Sequence, residues 1–273
     1  MRVCAPSRSS SARPATSLPA VKLGFIGAGN MASALARGIG EPVLVSDIDS
    51  AKAQALADEL GGDALSSNAG VAEQADVVVL CHKPAQLDEV AAEVAGRAGA
   101  VVSILAAVTT ARLEHAYPDT PIYRFIPNLP AEVREGVLCY VPGPGASRGP
   151  ERAVLELFGR AGGVIALDSE PLIEPAMALM SCGPAFMALV AEAFADAGAR
   201  HGLDRGDAVR MAVETMGGTA AYLREHGYDT EAIRTRVATP GGTTEQGLLR
   251  LEERGLREVC GEAVDAVVEA TRR

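Results

Sequence analysis

Val21-Lys22-Leu23-Gly24-Phe25-Ile26-Gly27-Ala28-Gly29-Asn30-Met31-Ala32 is the stretch that decides the fold. Val21–Ile26 is a short apolar run of strand type. Gly27–Asn30 is a tight turn, and Met31, Leu35 and Ile39 recur on one side of the helix that follows. Gly27-x-Gly29-x-x-Ala32 therefore matches G-x-G-x-x-A in the strand–turn–helix setting that a dinucleotide-binding turn requires. Gly27 makes the turn, Gly29 lets a pyrophosphate approach the backbone, and Ala32 keeps helix and sheet close. The amides opening the helix, at Asn30 and Met31, hold the phosphate charge. Pro42–Ser46 is a second apolar strand, and Asp47 stands at its end, 20 residues after Gly27, where an acidic side chain takes the ribose hydroxyls of NAD. Asp47 could equally be a cap or turn residue, as could Asp49. No Arg follows to grip a 2′-phosphate, so the balance leans to NADH within an NAD(P)H requirement.

Working outward, Ala53, Leu56, Ala57 and Leu60 mark a second helix closed by Gly61-Gly62, and Asp76–Cys81 is a Val-rich strand buried on both faces. Val101–Leu105, Ile122–Ile126 and Val137–Val141 supply further strands. Strands alternating with helices predict a doubly wound parallel sheet, a Rossmann domain, over residues 21–168. From 169 to 273 the strands disappear. Phe186, Leu189, Val190, Ala193, Phe194 and Ala197 form one helical stripe read as buried. Val209, Ala212, Val213 and Met216 mark another helix, opened by Asp204 with Asp207 three residues on. Two more helices fit Glu245–Arg254 and Leu256–Thr271. The second domain is predicted all-α.

Between those helices lies Thr239-Pro240-Gly241-Gly242-Thr243-Thr244-Glu245-Gln246. Two glycines allow unusual backbone angles, and Thr243 with Gln246 is expected to form a capping box. Bare amides and two hydroxyls at a helix start suit a carboxylate. A well-capped interhelical loop with no ligand is the equal alternative at this level.

Composition narrows the partners. With 25 Lys plus Arg against 35 Asp plus Glu the net charge is −10. Residues 1–20 carry Arg2, Arg8 and Arg13 and no acid, leaving 22 − 35 = −13 on the remainder. Such a body is repelled by nucleic-acid phosphates and anionic lipid, and the absence of Trp leaves little for stacking bases. Apolar runs such as Ala100–Val108 read as too short to span a bilayer. The five cysteines form no paired framework and, with the histidines, no metal-ligand spacing. No metal is therefore expected, and a reducing cytoplasm is the natural compartment. Residues 1–20 are Ser-, Ala-, Arg- and Pro-rich and read as a disordered extension; their composition also resembles an organellar transit peptide.

Taken together, GFIGAGNMASAL at Gly24–Leu35, Lys83-Pro84, RFIPNLPAEVREG at Arg124–Gly136, CGPAF at Cys182–Phe186 and TPGGTT at Thr239–Thr244 resemble the pyrroline-5-carboxylate reductase family. The resemblance implies a Rossmann domain and a helical domain that intertwines in a homodimer, with dimers often forming rings. It also implies hydride transfer from NAD(P)H to the cyclic imine 1-pyrroline-5-carboxylate, giving L-proline. By position it assigns Thr244 to the substrate ring nitrogen and Thr239, Gly241, Gly242 and Thr243 to its carboxylate. Asn68 falls to the adenosine side of the cofactor, Lys83-Pro84 and Ala106-Ala107 to its ribose and nicotinamide, and Pro127, Asn128 and Pro130 to the nicotinamide pocket. Several positions depart from the family pattern. P-N-T-P reads Pro127-Asn128-Leu129-Pro130, and A-A-G-V has lost its glycine in Ala106-Ala107-Val108. S-G-S-G-P-A-Y reads Met180-Ser181-Cys182-Gly183-Pro184-Ala185-Phe186, and His82 replaces an apolar residue. These keep open a paralogue reducing another imino acid, or a non-catalytic nucleotide-binding regulator.

Overall fold

A computed structural model describes residues 21–271; the extension read at 1–20 lies outside the described residues. Among the described residues eight strands form one sheet: β1 (Leu23–Ile26), β2 (Val43–Ser46), β3 (Asp63–Ala64), β4 (Val77–Leu80), β5 (Val101–Ser103), β6 (Ile122–Ile126), β7 (Gly136–Pro142) and β8 (Gly162–Ala166). Their order is β3-β2-β1-β4-β5-β6-β7-β8. All neighbours are parallel except β6 and β7, which pair antiparallel. The doubly wound sheet is thus as expected, with one reversed connection and two edge strands that apolar patterning did not mark.

Among the described residues twelve α-helices accompany the sheet. Between the strands run α1 (Asn30–Ile39), α2 (Ser50–Leu60), α3 (Asn68–Gln74), α4 (Leu87–Val94), α5 (Thr110–Ala116) and α6 (Glu151–Phe158). After β8 come α7 (Ile173–Met180), α8 (Gly183–Arg200), α9 (Arg205–Glu225), α10 (Thr230–Val237), α11 (Thr243–Glu253) and α12 (Leu256–Thr271). Two apolar clusters flank the sheet. One packs Phe25, Leu35, Phe125 and Phe158; the other packs Val78, Leu80, Leu113 and Tyr117. The central strands β1, β2 and β4 are buried at every position, as parallel strands covered on both faces must be.

The described residues separate into two compact units, up to Ser181 and from Cys182 onward, so the segment carrying α7 packs with the sheet. In the second unit Asp204 caps α9 by accepting from the Asp207 amide, as its spacing predicted. The stripe read as buried on α8 is not covered by the chain. Ala191 and Ala195 are the buried positions, whereas Leu189 is 64% and Phe194 55% exposed. Together with α7, the helical stretch Glu170–Arg200 contains an 18-residue window of mean hydropathy 1.6, long and apolar enough to cross a membrane by length and composition. A reading taken from uninterrupted apolar runs passes over it because Pro175, Ser181, Gly183 and Pro184 break the uncharged stretch between Glu174 and Glu192.

Candidate active site

The parallel strands β1, β2, β4, β5 and β6 end on one edge, and the order reverses between β1 and β4. Open α/β sheets bind ligands outside this edge, at such a switch point. Gly27 follows β1 with φ +103°, and a Cβ there would lie 2.8 Å from the Cys81 carbonyl carbon and oxygen. Glycine is required twice over, by conformation and by the approach of β4. Gly29 is different: it is the N-cap of α1, and a Cβ added to it would meet no protein atom within 4 Å. Its missing side chain leaves space outside the protein, which is where a pyrophosphate would sit. The amides of Asn30 and Met31, in the first turn of α1, have no intrahelical acceptor and suit that anion. The turn therefore fits a dinucleotide.

A cleft of about 550 Å³ opens beside it. Gly27, Gly29, Asp47, Asn68 and Lys83 lie on its wall; Asn30, Met31, Pro84, Ala106, Ala107 and Asn128 do not. Asp47 is already engaged: one carboxylate oxygen accepts the Ala28 amide at 2.6 Å and the other the Asp49 amide at 2.8 Å. It locks the end of β2 to the glycine turn while keeping lone pairs for a hydroxyl donor. Asn68 accepts from the Ser46 hydroxyl through Oδ1 at 2.7 Å, leaving its amide hydrogens as donors. Sequence reasoning passed over Ile48, 97% exposed and apolar on this wall, and over Ser66 and Ser67. An exposed isoleucine between two aspartates was the available signal. Four carboxylates (Asp47, Asp49, Glu89, Glu93) and two lysines (Lys52, Lys83) line the cleft. Lys52 lies 3.5 Å from Asp49.

Two side chains at the end of β4 are held uncharged. Burial pushes the Cys81 thiol far above the ordinary cysteine value. Burial also lowers His82, against the opposing pull of the Lys83 carbonyl 2.9 Å from its Nδ1. Neither is suited to act as a nucleophile or a cation here.

The loops after β5 and β6 carry the remaining Rossmann candidates. Ala106 and Ala107 form an exposed turn in which Ala107 has φ +58°, a left-handed conformation on a residue with a Cβ. Asn128 is 6% exposed, and both ends of its amide are used: Nδ2 donates to the Met180 carbonyl at 3.0 Å, and Oδ1 accepts the Val137 amide at 2.8 Å. Its side chain shapes the loop from behind.

In the second unit Thr239, Gly241, Gly242, Thr243 and Thr244 come together between α10 and α11. The N-cap of α11 is Gly242, not Thr243, and no side chain caps it, so the capping box expected from Thr243 and Gln246 does not form. Instead the Glu245 carboxylate reaches back to the Gly241 amide at 2.7 Å. Gly241 has φ +73°, and a Cβ at Gly242 would strike the Thr239 hydroxyl oxygen at 2.5 Å. Both glycines are obligatory for the turn. The amides of Thr243 and Thr244, first in α11, have no intrahelical acceptor. Among the described residues no cluster of three or more metal-ligating side chains occurs.

Comparison with known proteins follows the same division. Residues 170–273 match the family model described as pyrroline-5-carboxylate reductase dimerisation, and residues 22–107 match NADP oxidoreductase coenzyme F420-dependent. The pyrroline-5-carboxylate reductase of Synechocystis is 34% identical over 90% of this chain and 95% of its own length. That of Methanosarcina acetivorans is 33% identical over 92% and 96%. Among solved structures, a Coxiella burnetii pyrroline-5-carboxylate reductase superposes with a TM-score of 0.85 at 30% identity, covering 92% of this chain and 97% of that one. A Plasmodium falciparum pyrroline carboxylate reductase with NADP bound gives 0.79 at 26%, covering 92% and 97%. The uncovered stripe of α8 lies within the dimerisation match, which accounts for apolar side chains left open in a single chain.

Proposed function

The chain belongs to the pyrroline-5-carboxylate reductase family, and from that premise we infer that it reduces the cyclic imine 1-pyrroline-5-carboxylate to L-proline with NAD(P)H. The observation that carries this reading is the pairing of two built anion sites, the glycine turn at Gly27–Met31 and the glycine turn at Thr239–Thr244. A dinucleotide phosphate and a substrate carboxylate are the two anions this reaction must hold.

We propose the following division of labour. The bound nicotinamide supplies hydride. Gly29 leaves room for the pyrophosphate, and the amides of Asn30 and Met31 donate to it; Asp47 and Asn68 face the adenosine end, with Lys83 and Pro84 further along. Ala106, Ala107 and Asn128 shape the nicotinamide side. Thr239 and the amides of Gly241, Gly242 and Thr243 take the substrate carboxylate, those of Gly241 and Gly242 giving up their bonds to the Glu245 carboxylate and the Thr239 carbonyl to do so, and the Thr244 hydroxyl meets the ring nitrogen. Holding two reactants in register supplies several kcal/mol of the acceleration without a strong acid or base. Net charge misleads here, because backbone amides bind the anions of an acidic protein.

NADH is the proposed preferred donor. A 2′-phosphate would bring up to about two further negative charges to a cleft lined by four carboxylates and two lysines, one of which, Lys52, already lies beside Asp49. The dimerisation match makes the chain a homodimer. The α8 stripe is assigned to a second copy rather than to lipid, and rings of dimers are part of the same proposal. The described cysteines are all free thiols, which supports a reducing cytoplasm.

Thr244→Ala tests the assignment. Turnover of 1-pyrroline-5-carboxylate should fall strongly while NAD(P)H binding persists; an unchanged kcat/KM removes Thr244 from the chemistry.

A further inference from the structure

The loops after β5 and β6 are both held by one segment, Glu170–Ser181. At its start the Glu170 carboxylate accepts from the Thr110 amide at 2.6 Å and the Thr110 hydroxyl at 2.9 Å, and it pairs with the Arg124 guanidinium. Thr110 opens α5 directly after the turn containing Ala107, while Arg124 lies within β6, only 6% exposed. At the end of the segment, Ser181 donates to the Pro127 carbonyl at 2.9 Å and Met180 accepts from Asn128. Burying an ion pair is rarely the cheapest way to stabilise a fold, since apolar replacements of similar volume do as well or better. What the carboxylate adds is direction: two donors of a single residue are fixed at once.

We propose that Glu170 is a positioning residue for hydride transfer. Acting through Thr110, and held in place by Arg124, it fixes the turn at residues 104–109 on the edge of the sheet where the nicotinamide is to lie. The inference rests on the reductase reading given above. It assigns to Glu170 a role that neither the sequence motifs nor the family resemblance indicated.

The test separates positioning from stability. Glu170→Ala strands the buried Arg124 and is expected to unfold, so the informative protein is the double variant Arg124→Met/Glu170→Leu, which removes both charges. Its thermal transition should match or exceed that of wild type. Its kcat should fall by about tenfold or more, as expected for a misplaced near-attack geometry, while NADH affinity from fluorescence titration stays within roughly threefold. Thr110→Val, which deletes only the hydroxyl contact, should keep the thermal transition and lower kcat by about threefold. Either variant with both a wild-type transition and a wild-type kcat overturns the proposal, and Thr110→Val decides alone if the double variant does not fold. Wild-type protein assayed alongside distinguishes the two readings. Without wild-type turnover the reductase assignment fails and takes this one with it; with wild-type turnover, the variants judge Glu170 alone.

Discussion

Ala107→Gly should stabilise the protein, against the usual direction of glycine substitutions. Ala107 has φ +58°, and the left-handed region costs an L-residue about 1–2 kcal/mol because its Cβ crowds the following carbonyl. Glycine removes that cost but gains about 0.4–1 kcal/mol of unfolded-chain entropy. The methyl group is exposed, so no apolar burial is forfeited. The net expectation is a gain of roughly 0.5–1 kcal/mol, or about 1–4 °C in a transition of this size. Gly96→Ala is the mirror experiment. Gly96 has φ +77° and open space around the position of its absent Cβ, so alanine there meets the same strain with no clash. It should lose about as much as Ala107→Gly gains. Scanning calorimetry on the two variants checks both signs. If Ala107→Gly lowers the transition while Gly96→Ala also lowers it, the turn is not strained at Ala107 and the reasoning fails. The result bears on the site, because the family pattern has a glycine in this turn that Ala106-Ala107-Val108 lacks.

Three further outcomes follow from the geometry. Asp47→Ala should lower kcat/KM for NADH about tenfold more than for NADPH, the worth of one hydrogen bond to a charged acceptor; equal losses would show that Asp47 serves only to hold the Ala28 amide. Glu245→Gln should lower the KM for the imino acid by about fivefold with kcat unchanged, since a like charge near 4 Å costs about 1 kcal/mol even in water; a raised KM would mean that Glu245 shapes the loop rather than competing for Gly241. Acidification should release the Glu170 anchor. Burial raises that carboxyl, but its bonds to Thr110 and Arg124 outweigh burial and leave it below the ordinary glutamate value. Its contribution is therefore complete above about pH 5 and is lost as pH falls through the depressed folded value. Urea midpoints measured from pH 6 to pH 3 should fall less steeply for Glu170→Gln than for wild type.

How far the sequence could be read depended on whether each feature is local. The glycine turn was legible because a strand, a tight turn and a helix start are encoded within a dozen residues: Gly27 takes a left-handed φ against Cys81, and Gly29 faces open space. Asp204 at the start of α9 was legible for the same reason. The capping box at Thr243 failed although it too is local, because Gly242 takes the cap and Glu245 satisfies the preceding amide instead. A reversed β7 was within reach. Only nine residues separate Ile126 from Gly136, too few for the dozen or so that a parallel crossover takes. β3 and β8 were not, since two residues (Asp63-Ala64) and a half-covered Gly162-Gly163 edge have no apolar alternation to display.

The α8 stripe failed in a more instructive way. Its periodicity is real and its burial is not, because periodicity records burial in the assembled protein, and the chain supplies only part of the cover. The Glu170 anchor lies at the opposite limit. Its contacts span 46 and 60 residues, and no spacing rule joins Arg124 or Thr110 to a glutamate so far along the chain. Motifs therefore nominate groups proposed to touch ligand, which cluster at turns. The groups that hold those turns in place become visible only once the sheet has brought distant strand ends together. A variant series restricted to motif residues would leave the precision of this site unexplained.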